Sequence, residues 1–396
     1  MNSIVGFLKD KFSKRIVEKN EPKKEIFYLI SAAGIPNFGD DMLTRGWITS
    51  VKKQHPGCII YVDVTDPVVA QSLFSDVICV DYLWLLSKSL GDNGSVDDKF
   101  SNYSLLHSRE RSMLQLFPFI SSMHLLGGGY INDLHTENLK LIELVAFFSK
   151  KFSFPCYSTG LGLIPLSDGS ASKLAESIIQ YSLFDVRDLA SFNAINKQTN
   201  AHISFIGDDF FCFPFSETVR LKESAQPALC LCINDESVNN PDERNEFLLL
   251  IESCIDDFIS HNPGSPINLY EFRPGVDSGF WPRISQKYPT AKIFIFEDIW
   301  RDGLTFSKND VFISTRFHFQ LIVASLGLSG TSFYWNDYYK NKFESLTGLT
   351  SWSTFNLKEV RVSPAEILKQ FSVSFSTEFE SASEKSVLPT KIYGKK

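Results

Sequence analysis

The sequence lacks the patterns that mark several large classes of protein. No apolar run approaches the ~18–20 residues that a membrane-spanning helix requires. Residues 1–24 contain no unbroken apolar stretch like that of a cleavable signal peptide. The seven cysteines form no C-x-x-C pair, and most of them stand in apolar, strand-like runs. We therefore expect reduced, buried thiols in a cytoplasmic protein.

Motifs of several cofactor-dependent and hydrolytic classes are also absent. There is no G-x-x-x-x-G-K-[ST] loop and no G-x-S-x-G elbow, which argues against a P-loop protein and an α/β-hydrolase. Gly160-Leu161-Gly162 has Pro165 where a dinucleotide-binding fingerprint has its third glycine. The histidines show no metal-ligand spacing. A net charge of −7 argues against a general nucleic-acid binder. We expect no metal, no cofactor and no nucleic-acid partner.

The first 24 residues differ from the rest of the chain in charge. They hold seven basic and three acidic residues, a net charge of +4, which leaves about −11 on the remainder. Ile4, Leu8, Phe12 and Ile16 recur every four residues between the lysines. The pattern predicts a basic amphipathic helix, which could lie on an anionic membrane surface. Because the apolar stripe is narrow, we favour a solvated helix packed against the body of the protein.

Short apolar runs alternate with helical patterns along the 396 residues, which are enough for two domains. The alternation predicts parallel sheets with crossover helices. A first series of strands is expected at residues 26–30, 58–63, 77–80, 123–126, 156–159, 183–186 and 203–206, and a second at 228–233, 267–272, 292–296, 311–313 and 331–335. We therefore predict an α/β fold of two Rossmann-like domains, residues 25–220 and 225–363, with a cleft between them.

Three further segments complete this organisation. The charged stretch around residues 216–227 would connect the two domains. A helix at residues 364–371 is expected to pack back on the first domain. Residues 372–396 are rich in Ser, Glu and Lys, so this part of the C-terminal segment 364–396 is predicted to be loosely ordered.

The stretch of residues 311–318 is the most informative in the sequence. Residues 311–313 predict a buried strand, and residues 317–326 carry apolar side chains at helical spacing. Four polar residues stand at this junction: Ser314, Thr315, Arg316 and His318. The carboxyl end of a strand is where ligands bind in open α/β sheets. A helix N-terminus attracts anions, arginine adds a forked donor, and histidine can move a proton near neutral pH. We predict an anionic substrate and acid–base chemistry.

Glycine loops follow three of the expected strands. They read Pro-Asn-Phe-Gly-Asp-Asp at residues 36–41, Gly-Gly-Gly at 127–129 and Gly-Leu-Gly at 160–162. Glycine lets the backbone approach a ligand closely. In the first loop, Asp40 or Asp41 could cap the next helix or receive a proton from a sugar hydroxyl. After the second loop, Asn132 and Asp133 could bind a sugar or cap a turn.

Two more strand ends carry charged side chains. Arg187 follows the strand at residues 183–186 and could bind phosphate or carboxylate, while Asp188 could cap the following helix. The alternative is a surface pair of Arg187 with Asp188, which would be worth little. After the last strand, Lys340 and Lys342 could complete an anion site or lie in a solvated helical turn.

Taken in order, these loops resemble those of the polysaccharide pyruvyl transferase family. The resemblance rests on Asn37-Phe38-Gly39-Asp40, the glycines at 127–129, Gly160 to Pro165, Arg187-Asp188-x-x-Ser191, Ser314-x-Arg316-x-His318 with Ala324 and Gly327, and Tyr339 with Lys342. It spans about residues 25–350. The resemblance implies two Rossmann-like domains of the GT-B kind, an acceptor side in the first and a donor side in the second. It also implies phosphoenolpyruvate as donor, a glycan as acceptor and a pyruvate ketal as product.

The resemblance and the chemistry of phosphoenolpyruvate together suggest roles for the candidate residues. Arg187 and Arg316 would hold the phosphate and the carboxylate, with loop amides and helix N-termini helping. His318 would protonate the enol carbon, and Asp40 or Asp41 would accept a hydroxyl proton. The remaining candidate substrate-binding residues are Asn37, Gly39, Gly128, Gly129, Gly160, Gly162, Ser314 and Lys342.

Two other functions stay open at this point. A GT-B glycosyltransferase would use a nucleotide sugar as donor, and a non-catalytic relative would only bind glycans. The retention of Arg187, Arg316 and His318 argues against the second of these. A lipid-linked glycan acceptor would suit the basic N-terminal segment and a location at the inner face of the membrane.

Overall fold

The computed structural model describes residues 24–91, 94–101, 104, 106–215, 218–235, 238, 240–344, 352–359, 363–368 and 384–394. The predicted N-terminal amphipathic helix lies outside the described residues. The described chain divides into two compact units. The first contains the residues up to Ile35, Asp40–Phe213, and residues 384–394 from the end of the chain. The second contains Pro36–Gly39 and the residues from Pro214 to Leu368.

The first unit is built on a parallel sheet with helices on its faces. Its strands are β1 Ile26–Ile30, β2 Ile59–Asp63, β3 Ile78–Val80, β4 Ser122–Leu125, β5 Cys156–Leu161, β6 Leu183–Val186 and β7 Ile203–Phe205. They lie in the order β3-β2-β1-β4-β5-β6-β7. The helices are α1 Phe38–Gln54, α2 Pro67–Leu73, α3 Tyr82–Leu90, α4 Val96–Ser101, α5 Ser108–Leu116, α6 Thr136–Phe152, α7 Asp168–Ile178 and α8 Leu189–Asn196. This strand order is the doubly wound one, with its switch point between β1 and β4.

Helix α6 shows why the sequence folds in this way. Leu141, Leu144, Val145 and Phe148 recur at helical spacing and are fully buried against the first sheet and its helices. The basic residues of its last turn interact favourably with the negative, C-terminal end of the helix dipole. The helix ends at Phe152, and the C-cap residue Ser153 adopts a left-handed conformation with φ of 60°. Burial of this apolar face holds the helix against β4 and β5, the strands that lead to two of the glycine loops.

The second unit repeats this plan. Its strands are β9 Leu229–Cys232, β10 Ile267–Tyr270, β11 Lys292–Phe294, β13 Val311–Ser314, β14 Thr331–Tyr334 and β15 Ser353–Asn356, in the order β11-β10-β9-β13-β14-β15 and all parallel. The helices are α9 Pro241–His261, α10 Trp281–Lys287, α11 Phe296–Asp302, α12 Phe317–Ser325, α13 Asp337–Glu344 and α14 Pro364–Ile367. The twelve predicted strands are confirmed to within two residues at each end.

Two parts of the second unit differ from the predicted organisation. The stretch predicted as a connection contains β8, Val219–Lys222, which pairs in parallel with β12, Leu304–Ser307. The sequence analysis predicts neither β8, β12 nor β15, each only four residues long; β8 and β12 also come from distant parts of the chain. The fold class itself, two Rossmann-like α/β domains of the GT-B kind, is confirmed.

The C-terminal segment also differs from its prediction. Helix α14 does not pack on the first unit: Ile367 is buried in the core of the second, and its carbonyl accepts a hydrogen bond of 2.8 Å from Thr331 Oγ1. Instead, residues 384–394 join the first unit through helix α15, Leu388–Tyr393. Lys385, Leu388 and Tyr393 are buried, so the prediction of a loosely ordered tail is wrong here. A few buried side chains outweigh the polar composition of this segment.

Within the described residues, none of the helices is both long enough and apolar enough to cross a membrane. The seven cysteines are all free thiols, and five of them are buried.

Candidate functional site

The predicted junction of strand and helix is present in the second unit. β13 ends at Ser314, and α12 begins at Phe317 with Arg316 in the N-cap position. The hydroxyl of Ser314 accepts a hydrogen bond of 2.8 Å from the Arg316 amide and so fixes the turn. Thr315 Oγ1 accepts one of 2.6 Å from the Asn234 amide. Ser314 and Thr315 are fully buried, so they shape the turn rather than face a ligand.

Arg316 is held by a buried aspartate that the sequence reasoning missed. Its Nε donates to Oδ1 of Asp277 over 2.7 Å, and its Nη2 donates to the same oxygen. The other oxygen, Oδ2, accepts the amides of Phe272 and Arg273, each at 2.9 Å. Burial lowers the pKa of Arg316, but the carboxylate of Asp277 outweighs it and the net shift is upward. Arg316 therefore stays cationic in a fixed orientation. No motif spacing marks Asp277, because it lies in the irregular loop after β10.

His318 lies in the first turn of α12 and is 6% exposed. Gly39 lies directly against its ring, and a Cβ at Gly39 would overlap Nδ1 and the atoms next to it. The segment that carries Gly39 is fixed within the second unit by Phe38, whose amide donates to the carbonyl of Phe272 over 2.8 Å. The structure thus brings together two candidate residues that are far apart in the sequence, and it requires glycine at position 39.

Lys342 also lies near the start of α12. Its Nζ is 5.3 Å from the ring centroid of Phe317 and 5.5 Å from that of Tyr338. A cation over an aromatic face is attracted by the ring quadrupole. Tyr339, one turn earlier on α13, lies close enough to Arg316 to affect its pKa. Arg316, His318, Gly39 and Lys342 therefore form one group in the second unit, which we call the α12 cluster.

The glycine loops of the first unit are tied to carboxylates and to each other. The Gly127 amide donates to Asp209 Oδ2 and the Gly160 amide to Asp185 Oδ2, both over 3.0 Å. The Gly162 amide donates to the carbonyl of Gly128 over 2.9 Å, and the Gly128 amide to that of Gly160 over 3.3 Å. Protein oxygens therefore already accept from these four amides.

Gly128, Gly160 and Gly162 lie where a Cβ would meet neighbouring side chains. Gly160 has a φ of 56°, and a Cβ there would lie 2.5 Å from Asp209 Oδ1. The carbonyl of Gly129 accepts the side-chain amide of Asn132 over 3.0 Å. Asn132 in turn accepts from the amide of Leu134 over 2.9 Å, so it caps a turn as one of its two predicted roles allowed.

Arg187 is buried at the end of β6, with 4% of its side chain exposed. Its guanidinium lies against Gly162, where a Cβ would be 2.5 Å from Nε. Asp208 Oδ2 lies 3.6 Å from Nη1, and Asp188 Oδ2 lies 3.7 Å from Nε. The alternative of an exposed pair is therefore wrong. Asp188 caps α8, as predicted, by accepting the Ser191 amide over 2.8 Å.

Asp40 and Asp41, the two candidate bases, have different environments. Asp41 is fully buried one turn before Arg45. Burial lowers the pKa of Arg45, and the carboxylate of Asp41 opposes this shift. Asp40 is half-buried and lies near Gly128, its Oδ1 being 3.6 Å from where a Cβ of Gly128 would stand. Asp40 is the better placed of the two to reach a substrate. Asn37 lies partly exposed in the segment before α1.

A buried polar network beneath the glycine loops was not predicted. Its acidic members are Asp185, Asp208 and Asp209, and its other members are Trp47, His124, Thr159, Lys385 and Tyr393. Burial raises the pKa of Asp209, but Lys385 and Thr159 outweigh it and the net shift is downward. Burial lowers the pKa of His124 to about 3, so its ring is neutral. The position of Asp185 near the end of β6 could have marked it as a candidate functional residue, but nothing in the sequence marks Lys385.

In the part of the chain that the structure describes, no three His, Cys, Asp or Glu side chains are grouped so that they could hold a metal ion.

The two Rossmann-like units give the protein a two-domain α/β fold of the GT-B kind, with an arginine and a histidine at a strand–helix junction of the second unit. The family model for polysaccharide pyruvyl transferases matches residues 37–337. The match covers most of the chain and contains the α12 cluster apart from its last residue, Lys342. The chain belongs to the polysaccharide pyruvyl transferase family.

Solved structures of similar fold are distant in sequence. The UDP-GlcNAc 2-epimerase of Methanocaldococcus jannaschii is 11% identical with a TM-score of 0.51, and the match covers 93% of this chain and 99% of that one. A second structure of that enzyme contains UDP-GlcNAc and UDP and is 10% identical, with a TM-score of 0.51 and the same coverage. A Listeria monocytogenes protein described as a UDP-N-acetylglucosamine 2-epimerase is 9% identical with a TM-score of 0.52, over 94% and 98% of the two chains. No curated protein sequence matches significantly.

Proposed function

We propose that the protein transfers the enolpyruvyl-derived group of phosphoenolpyruvate to two hydroxyls of a glycan. The product is a pyruvate ketal, and phosphate is released. The observation that carries the proposal is the α12 cluster in a member of this family: a buried histidine beside an arginine that an aspartate keeps charged and oriented. A cation and a proton donor side by side suit a substrate that is both anionic and protonated during its reaction.

The chemistry would begin at the enol carbon. His318, as imidazolium, gives its proton to C3 of phosphoenolpyruvate, and C2 becomes cationic. A glycan hydroxyl attacks C2 and loses its proton to a base, for which Asp40 is the better placed candidate. The C2–O bond to phosphate then breaks, and a second hydroxyl attacks C2 and closes the ketal. Of the two hydroxyl protons, one balances the new methyl group and the other leaves with the phosphate.

Arg316 would bind one anionic group of the donor, because Asp277 holds it in place without removing its charge. Lys342 lies near enough to the same helix start to add a second positive charge. The N-terminus of α12 contributes the favourable end of its dipole. Arg187 is proposed as a further donor-binding group, and its burial means that its charge acts in a dry environment.

A thermal-shift titration tests the donor first. A ligand that binds only the folded protein must raise its melting temperature. We expect phosphoenolpyruvate to raise it in the wild type and in Arg301→Gln, whose arginine is exposed on α11, but not in Arg316→Gln. Turnover is then followed as phosphate released from phosphoenolpyruvate in the presence of a glycan with free vicinal or 4,6-hydroxyls.

A nucleotide-sugar donor is the competing function, since the similar epimerase fold binds UDP-GlcNAc. UDP-GlcNAc is therefore titrated in parallel. A shift with UDP-GlcNAc and none with phosphoenolpyruvate would overturn the proposal and favour a glycosyltransferase. No shift with either, together with a shift from a glycan alone, would favour a protein that only binds glycans.

A further inference from the structure

We propose that Lys385, from the C-terminal segment, is a positioning residue for the first unit's part of the active site. It acts through two aspartates that hold the glycine loops, and it keeps Arg187 available to an anionic donor. The effect on the donor rests on the proposed function, whereas the effect on the loops does not. Lys385 lies some two hundred residues from its partners in the sequence and outside the matched family region, residues 37–337.

Lys385 is fully buried, which is rare for a lysine unless it is paired. Its Nζ forms ion pairs with Asp185 Oδ2 and with Asp209 Oδ1, the latter over 3.0 Å. Burial lowers the pKa of Lys385, but the two carboxylates outweigh it and the net shift is strongly upward. One ammonium therefore compensates two carboxylates at a site that water does not reach.

These two carboxylates are the acceptors that fix the loop after β4 and the end of β5. Asp209 Oδ2 accepts the Gly127 amide over 3.0 Å and the hydroxyl of Thr159 over 2.6 Å. Asp185 Oδ2 accepts the Gly160 amide over 3.0 Å, and its Oδ1 accepts the Ile206 amide at the same distance. Each aspartate thus accepts hydrogen bonds from two different segments and joins them. An unpaired carboxylate at these positions would take up a proton or turn towards water, and either change releases a loop amide.

The same loops form the surface on which Arg187 lies. Gly162 is in contact with its guanidinium, and the Gly162 amide bonds to the carbonyl of Gly128. Asp208, the residue before Asp209, lies 3.6 Å from Arg187 and also feels the charge of Lys385. Lys385 therefore offsets negative charge in the same network to which Arg187 is joined through Asp208. Without Lys385 the surroundings of Arg187 would be more negative, and its attraction for a substrate anion would fall.

The segment that carries Lys385 is itself anchored. Tyr393 bonds to His124 Nδ1 over 2.8 Å, and His124 Nε2 bonds to Thr159, which lies beside Asp209 in the network. The carbonyl of Pro389 accepts the side-chain amide of Gln54 over 2.7 Å. These hydrogen bonds therefore fix the segment that carries Lys385 beneath the glycine loops.

The experiment compares Lys385→Met and Lys385→Arg with Lys391→Met, an exposed lysine of the same segment that serves as the matched control. Amide hydrogen exchange of peptides that contain Gly127 and Gly160 is measured in each full-length variant. We expect Lys385→Met to speed exchange at these two loops about tenfold or more, while the core of the second unit keeps its rate. Lys385→Arg should recover most of the protection, and Lys391→Met should match the wild type.

Steady-state kinetics provides the second readout. We expect Lys385→Met to raise KM for phosphoenolpyruvate about tenfold or more with a much smaller change in kcat, because it disturbs binding by Arg187 and leaves the α12 cluster intact. If Lys385→Met does not fold, Lys385→Met with Asp209→Asn is used, since this pair of changes keeps the net charge of the Lys385, Asp185 and Asp209 group. The second variant should fold and show the same raised KM in weaker form.

The outcomes separate the two proposals. Unchanged exchange at both loops in Lys385→Met, or faster exchange spread evenly over the whole chain, would overturn the positioning role. Localised faster exchange with an unchanged KM would overturn the link to Arg187. If the wild type neither binds nor turns over phosphoenolpyruvate, the proposed function fails, while the exchange measurements still decide whether Lys385 holds the loops.

Discussion

The two units place their charged side chains by different means. In the second unit, Arg316 and His318 lie at the junction of β13 and α12, and Asp277 forms a buried ion pair with the arginine. In the first unit, the charges of Arg187 and Lys385 are shared among three aspartates under two glycine loops. A junction of strand and helix orients its residues through a few local hydrogen bonds. The first unit's arrangement depends instead on charges contributed by distant parts of the chain, so a single change there should affect several groups at once.

The largest expected effect tests the role of His318 in the second unit. We expect His318→Ala to lower kcat by about 10²–10⁴-fold, the usual contribution of general acid–base catalysis, while phosphoenolpyruvate still raises the melting temperature. Phosphate release under saturating donor and glycan measures the change. Near-normal turnover in this variant would contradict the assignment of His318 as the acid.

Gly39→Ala provides a control for the environment of His318. The added Cβ overlaps the imidazole, so we expect a destabilisation of about 1–3 kcal/mol from overpacking, together with a loss of activity. In the His318→Ala background the overlap is gone, and the same change should cost little. A double-mutant cycle by urea unfolding measures this coupling. Additive effects would show that Gly39 and His318 do not act on each other.

The next effect concerns the partner of Arg316. We expect Asp277→Asn to lower the free energy of unfolding by about 3–5 kcal/mol, the usual cost of breaking a buried pair by removing one charge. It should also raise KM for phosphoenolpyruvate, because Arg316 loses its fixed orientation. Asp298→Asn, in an exposed pair with Arg301, is the matched control and should cost less than about 1 kcal/mol. Equal losses in both variants would mean that the buried pair has no special part in the fold.

In the first unit, we expect the free energy of unfolding to depend on pH through His124, a residue outside the α12 cluster. Burial lowers the pKa of His124 to about 3 in the folded protein, whereas unfolding returns it to about 6.5. Below pH 6.5 the unfolded chain therefore binds a proton that the folded chain does not, and the free energy of unfolding falls by up to about 1.4 kcal/mol per pH unit until the pH nears 3.

His124→Gln should remove this slope, and urea unfolding between pH 7 and pH 4 measures it. Asp63 acts in the opposite sense, since burial raises its pKa to about 7, but it is present in both proteins and cancels in their difference. Identical slopes in the wild type and His124→Gln would show that His124 is not held neutral by the network.

The contrast between the units also explains what could be predicted from the sequence. The strands, the fold class and the residues at the β13–α12 junction follow from local patterns, because a short buried strand and a helix start are encoded by neighbouring residues. Asp277 and Lys385 could not be found in this way. Each acts through a contact made across the fold, and nothing near it in the sequence distinguishes it from a surface residue.

The contacts of the glycine loops could not be predicted for a related reason. The sequence shows where glycine permits a close approach, but not which group approaches. At Gly160 the approaching group is Asp209, and at Gly162 it is Arg187, so the loops pack against the protein's own charges. At Gly39 and at Gly162 the glycine makes room for a side chain, His318 or Arg187, that is also a candidate functional residue.

The smallest expected effect concerns Lys342, which lies at the edge of the α12 cluster. Its contacts with Phe317 and Tyr338 are cation–π contacts at a partly exposed site, worth about 0.5–1 kcal/mol. We expect Lys342→Met to change stability by no more than that and to raise KM for phosphoenolpyruvate by less than about tenfold, since Arg316 keeps its own charge and partner. Lys340→Met, on the same helix and within 3.9 Å of Glu344, is the matched control. An effect of Lys342→Met as large as that of Asp277→Asn would mean that a peripheral charge dominates donor binding, and the second unit would then depend on shared charges as the first does.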